Sequence, residues 1–293
     1  MKMSVHCFDL KRKDLAGRIA RLKVDGRRVE TPALMPVLNV SRPIVSVKEL
    51  VDLFSCPAVM TNSYMLLKNP EYKSRVLDSG IHDFLGFNGV VATDSGSYQL
   101  MNYGVVETTN GEIIRFQEDI GSDIASFLDI PSPPDTYKPR AESQLETTIA
   151  RSKEAVDAGF LVNAGVQGAK YLDLRAKSAK AMGMAFPLVA VGGIVPFMES
   201  YRFRELVDVL GTVKQNLPAS TIVHGFGLGH PMLFSLAVAL GVDLFDSASY
   251  ALFARDDRYM SVEGTLKLEE MEYNSCTCPV CLGHGLGLKR LRG

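Results

Sequence analysis

At 293 residues, 46% hydrophobic and 22% charged, the chain can bury a substantial core and fits one large α/β domain or two small ones. A formal net charge of -1 excludes a broadly basic nucleic-acid binder, so any RNA contact must come from a local patch or another chain. Charged residues close behind Met1 exclude a signal peptide, and no uninterrupted apolar window is long enough to span a bilayer, which together predict a cytoplasmic protein with no membrane partner.

From residue 29 onward strand-then-helix units repeat. The first strand is expected from Val29 to Val40, limited by Pro32, Pro36 and Pro43. A helix over Ser46 to Phe54 opens on a capping box, Ser46 with Glu49. The second strand runs from Pro57 to Tyr64, and the third ends at Asp94 after the apolar run Gly89-Val90-Val91-Ala92. A helix over Gly111 to Ile120 precedes a fourth strand, Ile124 to Ile130, which carries Asp129 and runs into Pro131, Pro133 and Pro134. A long helix (Arg140 to Ala158) leads to a fifth strand (Leu161 to Val166) ending in Gln167-Gly168. After a helix from Tyr171 to Met184, the sixth strand (Pro187 to Val191) ends in Gly192-Gly193. A helix from Tyr201 to Leu217 follows, and the seventh strand (Thr221 to Phe226) ends in Gly227-Leu228-Gly229. The last unit is a helix from Pro231 to Leu240 and an eighth strand, Val242 to Phe245, ending in Asp246.

Short strands, apolar on both faces and alternating with helices, predict a parallel sheet. Eight such units fit a (β/α)8 TIM barrel better than an open sheet, and no GxGxxG follows the first strand. The expected division is a catalytic barrel over 1–270 and a small C-terminal zinc-binding segment with a basic tail over 271–293.

In a barrel the strand C-termini form the active face, where Asp94, Asp129, Gln167, Gly192-Gly193, His224 and Asp246 then converge. Asp94 and Asp246 have two readings. Each can cap the helix that follows its strand, or the two can share work at an anomeric carbon, one as nucleophile and one as proton carrier. Asp129 is either a turn residue or an acceptor for the N–H edge of a purine-like base, and Gln167 offers a donor and an acceptor suited to an amide edge. His224 and His230 read as structural rather than as ligands. Of five cysteines, Cys276, Cys278 and Cys281 form a Cys-x-Cys-x-x-Cys cluster that suits one Zn2+ given a fourth ligand, with three free thiols as the alternative. His284 is the only histidine downstream of them.

Several stretches carry a resemblance. Thr93-Asp94-Ser95-Gly96-Ser97-Tyr98-Gln99, Phe127-Leu128-Asp129-Ile130-Pro131, Val166-Gln167-Gly168, Ala190-Val191-Gly192-Gly193-Ile194, His224 to Pro231 and Phe245-Asp246-Ser247-Ala248-Ser249 resemble the catalytic domain of archaeal-type tRNA-guanine transglycosylases over about residues 5 to 281. Ser97-Tyr98 resembles the archaeal form. The resemblance implies a (β/α)8 barrel that removes a guanine at position 15 of tRNA and inserts 7-cyano-7-deazaguanine, in archaeosine biosynthesis, without cutting the strand. It implies Asp246 as the nucleophile and Asp94 as the general acid and base. Ser95, Asp129, Gln167, Gly192 and Gly193 would bind the base, Phe226 and Gly227 would line its pocket, and Cys276, Cys278 and Cys281 would hold zinc. A homodimer is implied as well. The family's fourth zinc ligand is a histidine well downstream, whereas this sequence ends at Gly293, so either His284 substitutes, or the fourth ligand comes from another polypeptide, or the site is incomplete. Archaeal relatives carry C-terminal RNA-binding domains including a PUA domain. None occurs in this sequence, which leads to the expectation of a split or truncated enzyme with a separate PUA-containing subunit. Two other functions fit the residues: base exchange on another nucleic acid, and a non-catalytic partner of an active transglycosylase. The presence of both Asp94 and Asp246 weighs against the second. A glycoside hydrolase would share the carboxylates but favours aromatic platforms, and the chain has no Trp.

Overall fold

Residues 17–24 alternate aliphatic and charged side chains and run into Asp25-Gly26, the pattern of a hairpin. In the computed structural model, which describes residues 6–97, 107–272 and 276–283, this stretch is the middle of a three-stranded antiparallel sheet. Its strands are β1 (His6–Asp14), β2 (Gly17–Val24) and β3 (Arg27–Thr31). Asp25 and Gly26 both take positive φ, 45° and 83°, as the two-residue turn requires. The strand expected from Val29 to Val40 is therefore two. Pro32 has no N–H to continue a ladder, and beyond it the chain enters β4 (Ala33–Leu38) in a different sheet.

That second sheet is a closed parallel barrel. β4 is followed around it by β5 (Ala58–Asn62), β6 (Val90–Asp94), β7 (Ile124–Ala125), β8 (Leu161–Val166), β9 (Leu188–Val191), β10 (Ile222–Gly225) and β11 (Leu244–Ser247). β11 closes onto β4, with Leu244 opposite Ala33 and Asp246 opposite Met35. Helices intervene between the strands, including Val47–Phe54, Asn110–Asp119, Lys138–Ser152, Leu172–Ala185, Phe203–Gln215 and Pro231–Ala239. The first of them carries the expected capping box, with Ser46 and Glu49 exchanging side-chain to backbone hydrogen bonds. The chain is thus a (β/α)8 TIM barrel, as its periodicity predicts.

The N-terminal sheet closes one end of this barrel. Leu22, Val24 and Val29 pack in one cluster with Ala58, Val90, Ile124, Leu161, Leu188 and Ile222, which are first residues of their strands or close to it. Burial there leaves the C-terminal ends of the strands open. No helix among the described residues is long and apolar enough to cross a membrane.

The fourth strand departs most from expectation. Only Ile124–Ala125 is strand, and residues 126–130 leave the ladder. The Ser126 and Asp129 N–H groups still donate to backbone carbonyls, of Thr93 and Phe127, and side chains serve five further backbone groups. Gln117 Nε2 donates to the Ser126 carbonyl (2.9 Å), Ser95 Oγ to that of Phe127 (3.0 Å) and Arg151 Nη1 to that of Leu128 (2.9 Å). The Leu128 and Ile130 N–H groups donate to Asn110 Oδ1 (2.8 Å) and Thr148 Oγ1 (3.0 Å). The segment that carries Asp129 is thereby aimed independently of the sheet. Past β11 come a short helix (Ser249–Arg255), a hairpin of β12 (Arg258–Met260) and β13 (Thr265–Lys267), and a helical turn at Pro279–Gly283.

Candidate active site

Asp94 ends β6, and its carbonyl accepts a hydrogen bond from Ser63 Oγ at 2.7 Å. Its Oδ1 accepts from the Gly96 N–H (3.2 Å) and its Oδ2 from Asn62 Nδ2 (2.9 Å). Gly96 has φ 93° and lies against Tyr64, where an added Cβ would meet that side chain at 2.6 Å, so the Ser-Gly-Ser turn needs its glycine. Burial pushes the Asp94 carboxyl up to about 7, and the negative charges of Asp129 and Asp246 push the same way against the Gly96 and Asn62 hydrogen bonds. A carboxyl so placed holds or gives up a proton near neutral pH, which is what general acid–base catalysis needs.

Asp246 lies within β11 and is buried. The Gly227 N–H donates to its Oδ1 at 2.7 Å, and His224 Nε2 lies 2.9 Å from the same oxygen. His224 is fully buried and packs against Phe226, the rings tilted with centroids 5.1 Å apart. His230 instead caps the Pro231–Ala239 helix, where its Nδ1 accepts from the Met232 N–H.

Asp129 and Gln167 form one polar unit. Gln167 Nε2 donates to Asp129 Oδ2 at 2.6 Å, and Gln167 Oε1 accepts from the Ser132 N–H at 3.4 Å. Burial raises the Asp129 carboxyl, opposed by hydrogen bonds from Ser97 and Gln167. Two glycines make room for the unit. A Cβ on Gly165 would lie 2.5 Å from Asp129 Oδ2, and one on Gly192 would lie 2.2 Å from Gln167 Nε2.

A cavity of about 1340 Å³ at the strand C-termini is lined by Asp94, Asp129, Gln167, Gly192, Phe226 and Asp246, and also by Gly193 and Gly227. Ser95 is not among its lining residues. It is fully buried, donates to the Phe127 carbonyl and lies 3.0 Å from Ser97 Oγ, while Ser97 faces the cavity. Tyr98 and Gln99 lie outside the described residues.

Behind Gln167 is a group that the sequence reading passed over. Arg175 is fully buried in the Leu172–Ala185 helix. Its Nη1 donates to the Val166 and Gly192 carbonyls, both at 2.8 Å, and its Nε to the Ala169 carbonyl at 2.9 Å. Burial lowers its guanidinium to about 9. An arginine on a helix of low amphipathicity gives no sequence signal of burial.

Cys276, Cys278 and Cys281 form a separate centre. Their Sγ atoms all lie within 4.8 Å of one another, close enough to share one metal ion. The Cys281 N–H donates to Cys278 Sγ at 3.4 Å and holds that thiol below the usual range, which favours the thiolate a metal binds. The donor set suits zinc. His284 lies outside the described residues.

Fold and site together define a (β/α)8 barrel protein whose open mouth gathers three carboxylates and a carboxamide. The chain belongs to the family described as queuine tRNA-ribosyltransferase, which residues 13–286 match. It is similar to proteins named tRNA-guanine(15) transglycosylase. Identity is 51% with the one from Thermococcus onnurineus and 52% with that from Thermococcus kodakarensis, each over 276 residues, 94% of this chain and 47% of the relative. The relative from Methanopyrus kandleri is 49% identical over 280 residues, 94% of this chain and 61% of its own length. The chain thus spans about half the length of the first two curated relatives.

Proposed function

We propose that this chain is the catalytic part of a cytoplasmic tRNA-guanine(15) transglycosylase, a pentosyltransferase that replaces guanine 15 of tRNA with 7-cyano-7-deazaguanine in archaeosine biosynthesis. The names of the relatives and the carboxylate arrangement support this reading. The observation that carries it is the split between two mouth aspartates, Asp94 raised to about 7 and Asp246 held by the Gly227 N–H.

In the proposed reaction Asp246 attacks C1′ of the ribose and the C1′–N9 bond breaks. Asp94 gives its proton to the departing guanine. The incoming base returns a proton to Asp94 and displaces the Asp246 ester, so two displacements retain configuration. Asp129 and Gln167 would exchange their mutual hydrogen bond for the polar edge of the base, which discriminates bases better than apolar shape does. Gly192, Gly193, Phe226 and Gly227 would form the walls, with Ser95 supporting the Asp129 segment from behind. Arg42, Arg75 and Arg255 line the outer cavity, where a phosphate backbone would pass. Cys276, Cys278 and Cys281 would hold a structural Zn2+ with His284 as the fourth ligand, and the protein would act as a homodimer. Further RNA contacts would come from a PUA-type part, encoded with this chain or separately.

The test mixes the protein with tRNA and labelled 7-cyano-7-deazaguanine, with and without a PUA-containing partner. Label enters tRNA if the reading is right, and no incorporation under either condition refutes it. A denaturing gel then shows an RNA–protein adduct, which Asp246→Asn abolishes.

A further inference from the structure

One helix holds both polar ends of the peptide unit between Val166 and Gln167. The carbonyl of that unit, on Val166, accepts from Arg175 Nη1 at 2.8 Å and from the Gly192 N–H at 3.1 Å. Its N–H, on Gln167, donates to Ser178 Oγ at 3.1 Å. Arg175 and Ser178 stand at i and i+3 on the Leu172–Ala185 helix, neighbours on one face, and both are fully buried. The same Nη1 donates to the Gly192 carbonyl at 2.8 Å, and Nε to that of Ala169, a residue with φ 51°, at 2.9 Å. Arg175 thus ties the end of β8, the turn after it and the glycines that follow β9 to a single helix position.

This is more than core filling. The hydrogen bonds of the Arg175 guanidinium go to backbone carbonyls and none goes to a carboxylate, a costly way to bury a charge. Its Nη2 has no hydrogen-bond partner among the described residues. That atom lies 3.6 Å from where a Cβ on Gly193 would stand, and Gln167 Oε1 lies 3.2 Å from the same point. A Cβ on Gly192 would meet Gln167 Nε2 at 2.2 Å. The Gln167 carboxamide therefore lies against the Gly192–Gly193 backbone, and that backbone hangs from the same nitrogen as the Gln167 peptide. A shift of either segment alters the gap the carboxamide occupies and the direction of its donor and acceptor.

We infer that Arg175 and Ser178 are positioning residues for base recognition, which together aim the Gln167 carboxamide at the amide edge of the base. This rests on the proposed base exchange. Neither residue lines the cavity, so each reaches the base only through Gln167 and Gly192. The carboxamide has two hydrogen bonds of its own, a short one to Asp129 at 2.6 Å and a long one from the Ser132 N–H at 3.4 Å. An arriving base takes the place of the first. What then aims the carboxamide is the long bond and the fixed backbone behind it. A hydrogen bond weakens steeply as its angle falls, so a small rotation of that peptide unit costs the base much of its contact.

The experiment uses the full chain and labelled 7-cyano-7-deazaguanine. Equilibrium dialysis gives Kd for the base without tRNA, and steady-state kinetics gives KM for the base and for tRNA separately. Ser178→Ala removes one acceptor and should raise Kd and KM for the base about fivefold. Arg175→Lys keeps the charge but not the fork, and should raise both about tenfold. KM for the base should rise by more than kcat falls. KM for tRNA, whose affinity comes mainly from its phosphates, should move by less than about twofold. In a Gln167→Ala background Ser178→Ala should add nothing, because no carboxamide is left to aim. A purely structural pair would lower the thermal midpoint while the folded fraction kept the wild-type Kd. A folded Ser178→Ala protein with the wild-type Kd, an equal rise in KM for tRNA, or a Ser178→Ala effect of full size in Gln167→Ala overturns the inference and leaves the base exchange standing. A wild type that binds no base overturns both.

Discussion

Asp94→Asn should remove activity and raise stability, but only at alkaline pH. The carboxyl is held at about 7 in the folded chain against an ordinary 3.8. Between those values the folded chain keeps a proton that the unfolded chain releases, so stability is fully present at low pH and is lost as pH rises towards 7. The ceiling on that loss is about 4 kcal/mol. Asp94 borders the cavity and is not fully shielded, so solvent screening brings the expected loss to about 2 kcal/mol. The amide cannot ionise, so this pH-dependent loss is absent in the variant. It accepts only one of the two hydrogen bonds from Asn62 and Gly96, a cost nearly equal at all pH values, so the informative quantity is the change with pH. Urea unfolding of both proteins at about pH 3 and pH 8 measures it, the lower value lying below the ordinary 3.8. The variant should gain about 2 kcal/mol on the wild type between the two conditions, or roughly 5 °C in thermal midpoint. A difference that does not move with pH, or that moves against the variant, would refute burial as the cause of the raised carboxyl.

Four further outcomes follow from the same geometry. The alkaline limb of kcat/KM should fall near pH 7 as Asp94 loses its proton, and Asn62→Thr, which keeps a capping oxygen but not the amide donor, should move that limb upward by about one pH unit. Gly192→Ala places a Cβ 2.2 Å from Gln167 Nε2, and steady-state kinetics should show KM for the base raised about tenfold or more with little change in thermal midpoint. Arg175→Leu removes the donor of the Ala169 and Gly192 carbonyls and leaves the Val166 carbonyl only the Gly192 N–H, and it should cost about 3 kcal/mol or more in chemical denaturation. Cys278→Ser should reduce bound zinc measured by elemental analysis, and a chelator should lower the thermal midpoint of the wild type but not of that variant.

The barrel was legible because each unit repeats one signal, an apolar strand meeting a turn rich in Gly, Asp and Ser. The N-terminal sheet was not read, although Asp25-Gly26 between alternating segments marks it, because the run from Val29 to Val40 looks continuous when Pro32 is taken as a limit rather than a junction. The end of the fourth strand could not be read either. Phe127-Leu128-Asp129-Ile130 is as apolar as a strand, and the five side chains that take over its backbone hydrogen bonds come from Ser95, Asn110, Gln117, Thr148 and Arg151. Those partners are distant in sequence, and no local pattern announces them. In the site, Asp94, Asp129, Gln167 and Asp246 stood out as polar groups at strand ends, and they share one cavity. His224 was placed at the same face but read as structural, and Asn163 and Arg175 gave no signal, since a buried polar residue inside a strand or helix looks like any other until its partner is known.

The two ends of the barrel divide stability from chemistry. At the closed end, apolar packing of the N-terminal sheet is reinforced by charges that are paired. Arg18 binds Asp243 and two backbone carbonyls, and Arg27 reaches Asp123 at 3.1 Å. At the open end the buried charges are like charges. Asp94, Asp129 and Asp246 face one cavity, and donors answer them one by one from Asn62, Gly96, Gln167 and Gly227. Each such carboxylate costs stability, so the mouth can be kept only because the opposite end supplies what it consumes. That is why the stabilising substitution argued above falls on a residue proposed for catalysis. Removing Arg18 at the closed end should instead strand Asp243, lower stability by about 3 kcal/mol or more, and leave the alkaline limb of the pH profile where it was.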